Sequence, residues 1–330
     1  MTALLNARAA AAIVVAAGLL TATTSNAADW KAYTYTPSAK IAVGVGLQEI
    51  ADQIEAETKG DVKIRIHLGG SLPIKVTDTT QAVADGIVQL ADDVFFMGSV
   101  PIGGILRLPM LITSHAEYQK ALAVVMPYMV EDWDKLGVAV LGGYVYTLNN
   151  IYSVPQVTSF ADLKGKKVRI LAPEQAAFVE AYGGVPVTIG SPEVASALQQ
   201  GVVDAVLTAG PGGGVLWGGL TKSIYRAGPD FVNGFYIVNK AAFGKLSKDS
   251  QDRVKAVVAK VAPTVTSRME AQDDEVVSGY AQKGVTVTPP NAADVKEATA
   301  KMSPIWETWA EKRGPRYVEA LKKVRAALNK

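Results

Sequence analysis

The chain has no cysteine in 330 residues, so it can build neither a disulfide framework nor a thiolate site. It has only two histidines, His67 and His115, far apart in sequence. One falls in a strand pattern and one at a helix start, and both read as structural residues. HExxH, CxxC and EF-hand patterns are missing, so neither a metal site nor any other cofactor is expected. No GxSxG elbow and no P-loop GK[ST] occurs, so nothing nominates a catalytic nucleophile. Charge of one sign is also lacking: the net charge is +2, and no nucleic-acid partner is expected. Beyond the N-terminus no segment reaches 18 apolar residues, the length of a spanning helix.

What is present is an apolar, globular composition, 49% hydrophobic and 19% charged. The length allows a full core and more than one domain. At the N-terminus Arg8 precedes an apolar run, Ala9 to Leu20, and then "TATTSNAADW". A basic start, a short apolar core and small residues read as a secretory signal peptide, cleaved after Ala27 or Ala28. The run is too short for a bilayer span, which needs about 20 residues. The mature protein is expected to be soluble and either periplasmic or secreted.

The mature sequence alternates strand and helix signals. "WKAYTYT" alternates like a strand, and Pro37 and Ser38 then open a helix. Val43, Leu47, Ile50 and Ile54 share one face of that helix. "DVKIRIHL" reads as a strand, "TDTTQAVADG" as a short helix and "IVQLA" as another strand. This βαβαβ rhythm predicts an open, mostly parallel sheet. Ser114 and Glu117 form a capping box for a helix running towards Leu136. A second rhythm follows: strand Lys167 to Leu171, helix Glu174 to Tyr182, strand Val185 to Ile189. Ser191 then caps a helix with Pro192 at its first position, and "VVDAVL" is the next strand.

Residues 82–93, "AVADGIVQLADD", echo residues 197–208, "ALQQGVVDAVLT". The echo points to two lobes of similar build. Sheets of this kind bind ligands beyond the carboxyl ends of their strands, here near Asp93 and Thr208. "AGPGGGVLWGGL" has the glycines of a phosphate cradle but not its Lys-Ser/Thr, and a flexible loop with a short helix is the plainer reading. Residues 246–284 are helical almost throughout, with Pro263 as a kink point. A helix so long, late in a two-lobed chain, can lie across both lobes. Two more helices end the sequence.

One stretch, "DLKGKKVRILAPE", places Arg169 inside a short strand between Val168 and Ile170. "FADLKGKKVRI" and the following "GGVPVTIGSPEVASALQQGVVDA" resemble the solute-binding receptors of tripartite ATP-independent periplasmic (TRAP) transporters, the C4-dicarboxylate-receptor-like family. So do "EAETKGDVKIRIHLGGSL", "GILRLPMLITSHAEYQKAL" and "YIVNKAAFGKLSKDSQDRV", in the same order along nearly the whole mature chain.

The resemblance implies a two-lobed α/β fold like that of periplasmic binding proteins, with a long helix spanning both lobes. Lobe 1 would take residues 29–145 with part of 235–283, and lobe 2 residues 146–234 with part of 284–330. The function implied is a monomeric periplasmic receptor. It closes over a small organic acid and delivers it to a membrane permease. Arg169 stands at the family's most constant ligand contact. A guanidinium offers a carboxylate two parallel hydrogen bonds, so an anion there would explain a charge inside a strand. Ser191 and Thr208 match pocket positions more loosely. Asp93 or Val94 falls near a first-lobe polar contact and Thr36 near another. Phe235 and Asn233 lie on the returning strand.

The sequence also departs from the family. Many members carry a second arginine about twenty residues before the first, in R-x-L-x-N. Here that segment reads "YTLNN", with Tyr146 in the arginine's place, and Asn149 in the same stretch is a further ligand-contact candidate. This implies a monocarboxylate or sulfonate rather than a dicarboxylate. Arg107 could supply a second charge or serve at the surface or a hinge. Tyr146, Trp217 and Phe235 would suit an apolar or aromatic remainder. Two other readings stay open. An exported enzyme would show an acid–base pair facing the cleft, and a sensor-coupled receptor would lack a neighbouring permease gene. Mass spectrometry of the exported protein should show loss of residues 1 to 27 or 28. Retention of the intact N-terminus in the membrane would overturn the leader assignment.

Overall fold

The computed structural model describes residues 27–330. The expected leader, up to Asn26, lies outside the described residues. In chain order the strands are β1 (Ala28–Thr34), β2 (Val62–His67), β3 (Leu90–Asp93), β4 (Val138–Leu148), β5 (Asn150–Ser153), β6 (Lys167–Ile170), β7 (Val185–Thr188), β8 (Ala205–Thr208), β9 (Ser223–Tyr225), β10 (Phe231–Asn239) and β11 (Thr286–Thr288). The helices are α1 (Ala42–Glu57), α2 (Thr79–Ala84), α3 (His115–Lys135), α4 (Ala176–Ala181), α5 (Val194–Gln199), α6 (Val215–Trp217), α7 (Lys240–Gly244), α8 (Lys248–Ala281), α9 (Ala292–Glu311) and α10 (Pro315–Leu328). Among the described residues no helix is long and apolar enough to cross a membrane.

The strands form two sheets, ordered β2-β1-β3-β10-β4 and β11-β9-β5-β8-β6-β7. Strands joined by helices pair in parallel, as the rhythm predicts: β1 with β2 and β3, and β6 with β7 and β8. The sheets are nevertheless mixed. β4 passes at Asn149 into β5 of the other sheet, and the chain returns from β9 to β10 through residues 226–230. A strand arriving from the other sheet enters from the opposite end. All four antiparallel pairs involve these crossing strands: β10 with β3 and β4, β5 with β8 and β9.

Local chemistry sets the helix ends. Val43, Leu47, Ile50 and Ile54 are fully buried on one face of α1. That helix starts at Ala42 and not at Pro37 or Ser38. The Thr36 hydroxyl takes the Ser38 N–H and the Ser38 hydroxyl takes the Lys40 N–H, each at 3.2 Å, which holds the chain in turns. Ser114 does cap α3, accepting the Glu117 N–H at 3.1 Å. Ser191 is not a cap. It lies in a tight 3₁₀ turn before α5, and Glu193 takes the Gly190 N–H at 3.2 Å.

α8 runs unbroken through Pro263 for 34 residues, about 50 Å at 1.5 Å per residue. Its Val254, Val258, Val261 and Val265 are buried in a core shared with α1 and β4. Its later turns reach both crossings. Asp273 accepts a hydrogen bond from Thr147 at the end of β4 and pairs with Arg226 after β9, each at 2.8 Å. α9 packs on α4 and α10 on α3, and Trp306 donates to the Pro109 carbonyl at 2.8 Å.

Among the described residues four carboxyls are buried, those of Asp92, Asp93, Asp230 and Glu174, and three of them are shifted upward. Burial pushes Asp92 up to about 7, and Asp93 and Asp230 up to about 6. Donors offset part of that cost: Thr34 and Tyr144 for Asp92, Thr80 and the Phe95 N–H for Asp93, Asn149 and Gln175 for Asp230. A carboxyl whose folded pKa is raised adds stability that is complete below its unfolded value, about 4, and is lost as pH rises through the folded value. The thermal midpoint should therefore be higher at about pH 5.5 than at about pH 8. Asp92→Asn should flatten that slope. A midpoint that rises with pH over this range contradicts the assignment.

Candidate ligand-binding site

β6 sits between β7 and β8 in the second sheet. Its alternation sends Val168 to the core and Arg169 to the other face. Arg169 is 1% exposed. Its Nε donates to the Ile189 carbonyl at 3.1 Å. The guanidinium carbon lies 5.4 Å from the centre of the Trp217 ring. One terminal nitrogen is buried without any hydrogen-bond partner. Among the described residues no carboxylate pairs with this cation. Burial lowers its pKa to about 10, slightly offset by Tyr35, so it stays charged at neutral pH.

Arg169 faces a narrow cavity, whose atom-free space of about 370 Å³ includes open solvent at its mouth. Tyr35, Ile41, Tyr146 and Val232 line it from the side of the first sheet. Leu171, Ser191, Leu207 and Thr208 line it from the second, together with the loop Ala209–Trp217. That glycine-rich segment runs into the short helix α6, as expected, but it is not a loose surface loop. It is a buried wall, and a Cβ on Gly213 would stand 2.1 Å from the Trp217 ring. Only glycine there lets the backbone pass between Trp217 and Thr208, whose Oγ1 accepts the Gly213 N–H at 3.1 Å. Opposite Arg169, the hydroxyls of Tyr35 and Tyr146 bond each other. Arg169 is the one charged side chain on the described wall.

Of the residues singled out in sequence, Arg169, Tyr146, Thr208, Ser191 and Trp217 meet at this cavity. The other five stand elsewhere. Asp93 turns to Thr80 and to the Phe95 N–H. Thr36 serves the turn before α1. Phe235 packs between Phe96 and Trp133, at 5.1 and 5.2 Å between ring centres. Asn233 receives Arg107 Nε at 2.6 Å. Asn149 donates to Asp230 at 2.9 Å where β4 crosses. Arg107 is fully buried away from the cavity, and a second terminal contact goes to the Asn233 carbonyl at 2.7 Å. Two missed wall residues, Tyr35 and Val232, are chain neighbours of the chosen Thr36 and Asn233. Adjacent residues of an extended chain face opposite ways, so a one-residue offset selects the wrong face.

A family model described as bacterial extracellular solute-binding protein, family 7, matches residues 34–313. Among curated proteins the chain is 23% identical to the sialic acid-binding periplasmic protein SiaP of Vibrio cholerae, over 82% of this chain and 85% of that one. It is 27% identical to the uncharacterized protein YiiZ of Salmonella typhimurium over 48% of this chain. There and in a Sulfitobacter solute-binding protein, the matched segment spans about half the relative's length. Among solved structures, a Bordetella pertussis extracytoplasmic solute receptor binding pyroglutamic acid superposes with a TM-score of 0.84. The identity is 26%, covering 91% of this chain and all of that one. A TRAP periplasmic solute-binding protein of Desulfovibrio salexigens with bound orotic acid has a TM-score of 0.82 at 19% identity, covering 91% and 98%. Two sheets with a long helix across their crossings, and a match over most of the chain, place this protein in the TRAP-type bacterial extracellular solute-binding protein family 7.

Proposed function

We propose that the protein is a periplasmic receptor that binds a small organic acid through Arg169 and delivers it to a TRAP membrane permease. The observation that carries this reading is a buried guanidinium with an open donor nitrogen and no carboxylate partner, facing a cavity walled from both sheets. An unpaired buried cation costs several kcal/mol, which a ligand carboxylate would offset. Pyroglutamic and orotic acids, bound by structurally similar receptors, are both carboxylic acids. With no second cation on the described wall, the ligand is a monocarboxylate or sulfonate, with a compact remainder against Trp217, Leu171 and Val232. The receptor works as an exported monomer once its leader is removed, and the lobes hinge at Asn149 and residues 226–230.

Calorimetric titration with acids returned by a thermal-shift screen tests the site. Losing one partner of a buried charge pair costs about 2–5 kcal/mol. Arg169→Ala should therefore weaken binding by roughly 30- to 3000-fold while folding persists. Arg169→Lys should also fail substantially, because an ammonium cannot make the two-pronged contact. Tyr146→Phe should cost less, about 0.5–1.5 kcal/mol. Wild-type affinity in Arg169→Ala would make the guanidinium structural.

Ligand should also draw the lobes together, because it bridges walls from both sheets. Small-angle scattering at saturating acid should give a smaller radius of gyration than the free protein. An unchanged radius counts against a closing receptor.

A further inference from the structure

Besides Arg169, the cavity offers hydroxyls from Ser191, Thr208, Tyr35 and Tyr146. The Tyr35 and Tyr146 hydroxyls bond each other, so their two protons have to be shared out. Their direction decides whether the ligand meets a donor or an acceptor. Behind the pair stands Tyr144, whose ring centre is 5.8 Å from that of Tyr146. Tyr144 gives its only hydroxyl proton to Asp92, and Thr34 gives Asp92 a second at 2.8 Å. The Tyr144 oxygen is then left as an acceptor beside the Tyr35–Tyr146 pair.

Asp92 is fully buried, and among the described residues no basic side chain pairs with it. Its carboxylate draws hydroxyl protons towards itself across the row of phenols Tyr144, Tyr35 and Tyr146, which packs beside it. Arg169, across the cavity, favours lone pairs turned towards it. Both fields therefore align the row in one sense. The row is also accommodated by the sheet. On the neighbouring β10, a Cβ at position 234 would come 2.4 Å from the Tyr144 hydroxyl, and the residue there is glycine.

We propose that Asp92 is a specificity-determining positioning residue: through Tyr144 it turns the Tyr35–Tyr146 pair so that an acceptor oxygen faces the cavity. The ligand then carries an N–H or O–H donor beside the carboxylate that Arg169 holds. This rests on the receptor reading above. Lactam acids and hydroxy acids have that pair of groups, whereas simple alkyl acids lack the donor. The titratable groups around Asp92 are Asp93 on β3, Tyr144 and Tyr146 on β4, Tyr236 on β10, and Tyr35 beyond β1. Burial holds the Asp92 carboxyl up near about 7, so the donor preference is present above that pH and fades as pH falls through it.

Titration calorimetry of the mature protein tests this with a panel of carboxylates containing two matched pairs. The pairs are pyroglutamate against cyclopentanecarboxylate and lactate against propionate, at about pH 8.5 and about pH 6, where all four acids stay mostly ionised. At the higher pH the donor-bearing member of a pair should bind at least about tenfold tighter. The ratio should shrink at the lower pH. Asp92→Asn should shrink it at both, since the neutral amide neither attracts the row of protons nor excludes the reverse orientation. Should that variant fail to fold, Tyr144→Phe, which cuts the row, should shrink the ratio in the same way. Equal affinities within the pairs, a tightest panel binder without any N–H or O–H donor, or a ratio untouched by these variants each overturns the proposal. The receptor reading survives those results if an acid still binds and Arg169→Ala abolishes it. If no carboxylate binds the wild type, the receptor reading fails first.

Discussion

A guanidinium buried without a carboxylate is the constraint around which this cavity is arranged. Arg169 is held by one backbone carbonyl and an indole face, and neither neutralises its charge. The carbonyl belongs to Ile189, just past β7, so the strand pairing of β6 with β7 fixes the side chain's direction. The indole belongs to Trp217, which can approach only because the preceding loop is built of glycines. The facing wall comes from β4, β10 and the segment after β1, all on the other sheet. The cation is thus positioned by one half of the molecule and enclosed by the other.

Enclosure makes the two crossings matter. Gln175 takes the N–H groups of Leu171 and Ala172, at 2.8 and 3.2 Å, and gives its amide to Asp230 at 2.8 Å. Asp230 in turn receives Asn149. Both crossing segments and the end of the strand bearing Arg169 therefore share one hydrogen-bonded group, buried where water cannot substitute for a lost partner. Asp273 of α8 fastens the same two crossings from outside through Thr147 and Arg226. On the proposed receptor reading, a rotation at Asn149 is felt at Leu171 within three hydrogen bonds.

Family, element order and the long helix were legible in sequence, because they rest on spacing, caps and turn residues that act locally. Arg169 was legible because a charge in a short strand is anomalous and the motif around it resembles a known family. Tyr146 was legible as a departure from that motif. What escaped depends on three-dimensional closure. The antiparallel pairs arise only once the chain crosses between sheets. Tyr35 and Val232 were missed by one residue because facing alternates along the chain and loop geometry resets it. Nothing in "QLADDV" distinguishes Asp92 from Asp93. Their different roles come from which neighbour, Tyr144 or Thr80, each carboxylate meets.

Among the described residues two arginines are fully buried, and comparing them separates a structural charge from a receptive one. Arg107 places Nε and one terminal nitrogen on Asn233, with that nitrogen also near the Val94 carbonyl. Burial lowers its pKa, but the fields of Asp230 and Glu174 act against that. Its remaining nitrogen is unpartnered, yet its charge already has two carboxyls within its field. Around Arg169 the opposing field comes only from the neutral phenol Tyr35. Both guanidiniums lose hydration on burial, and only Arg107 has an anionic environment supplied by the protein. An orphaned nitrogen therefore does not by itself mark a ligand site. Such a site combines the orphan with a missing counter-charge and an adjoining cavity, and of these two buried cations only Arg169 meets all three conditions.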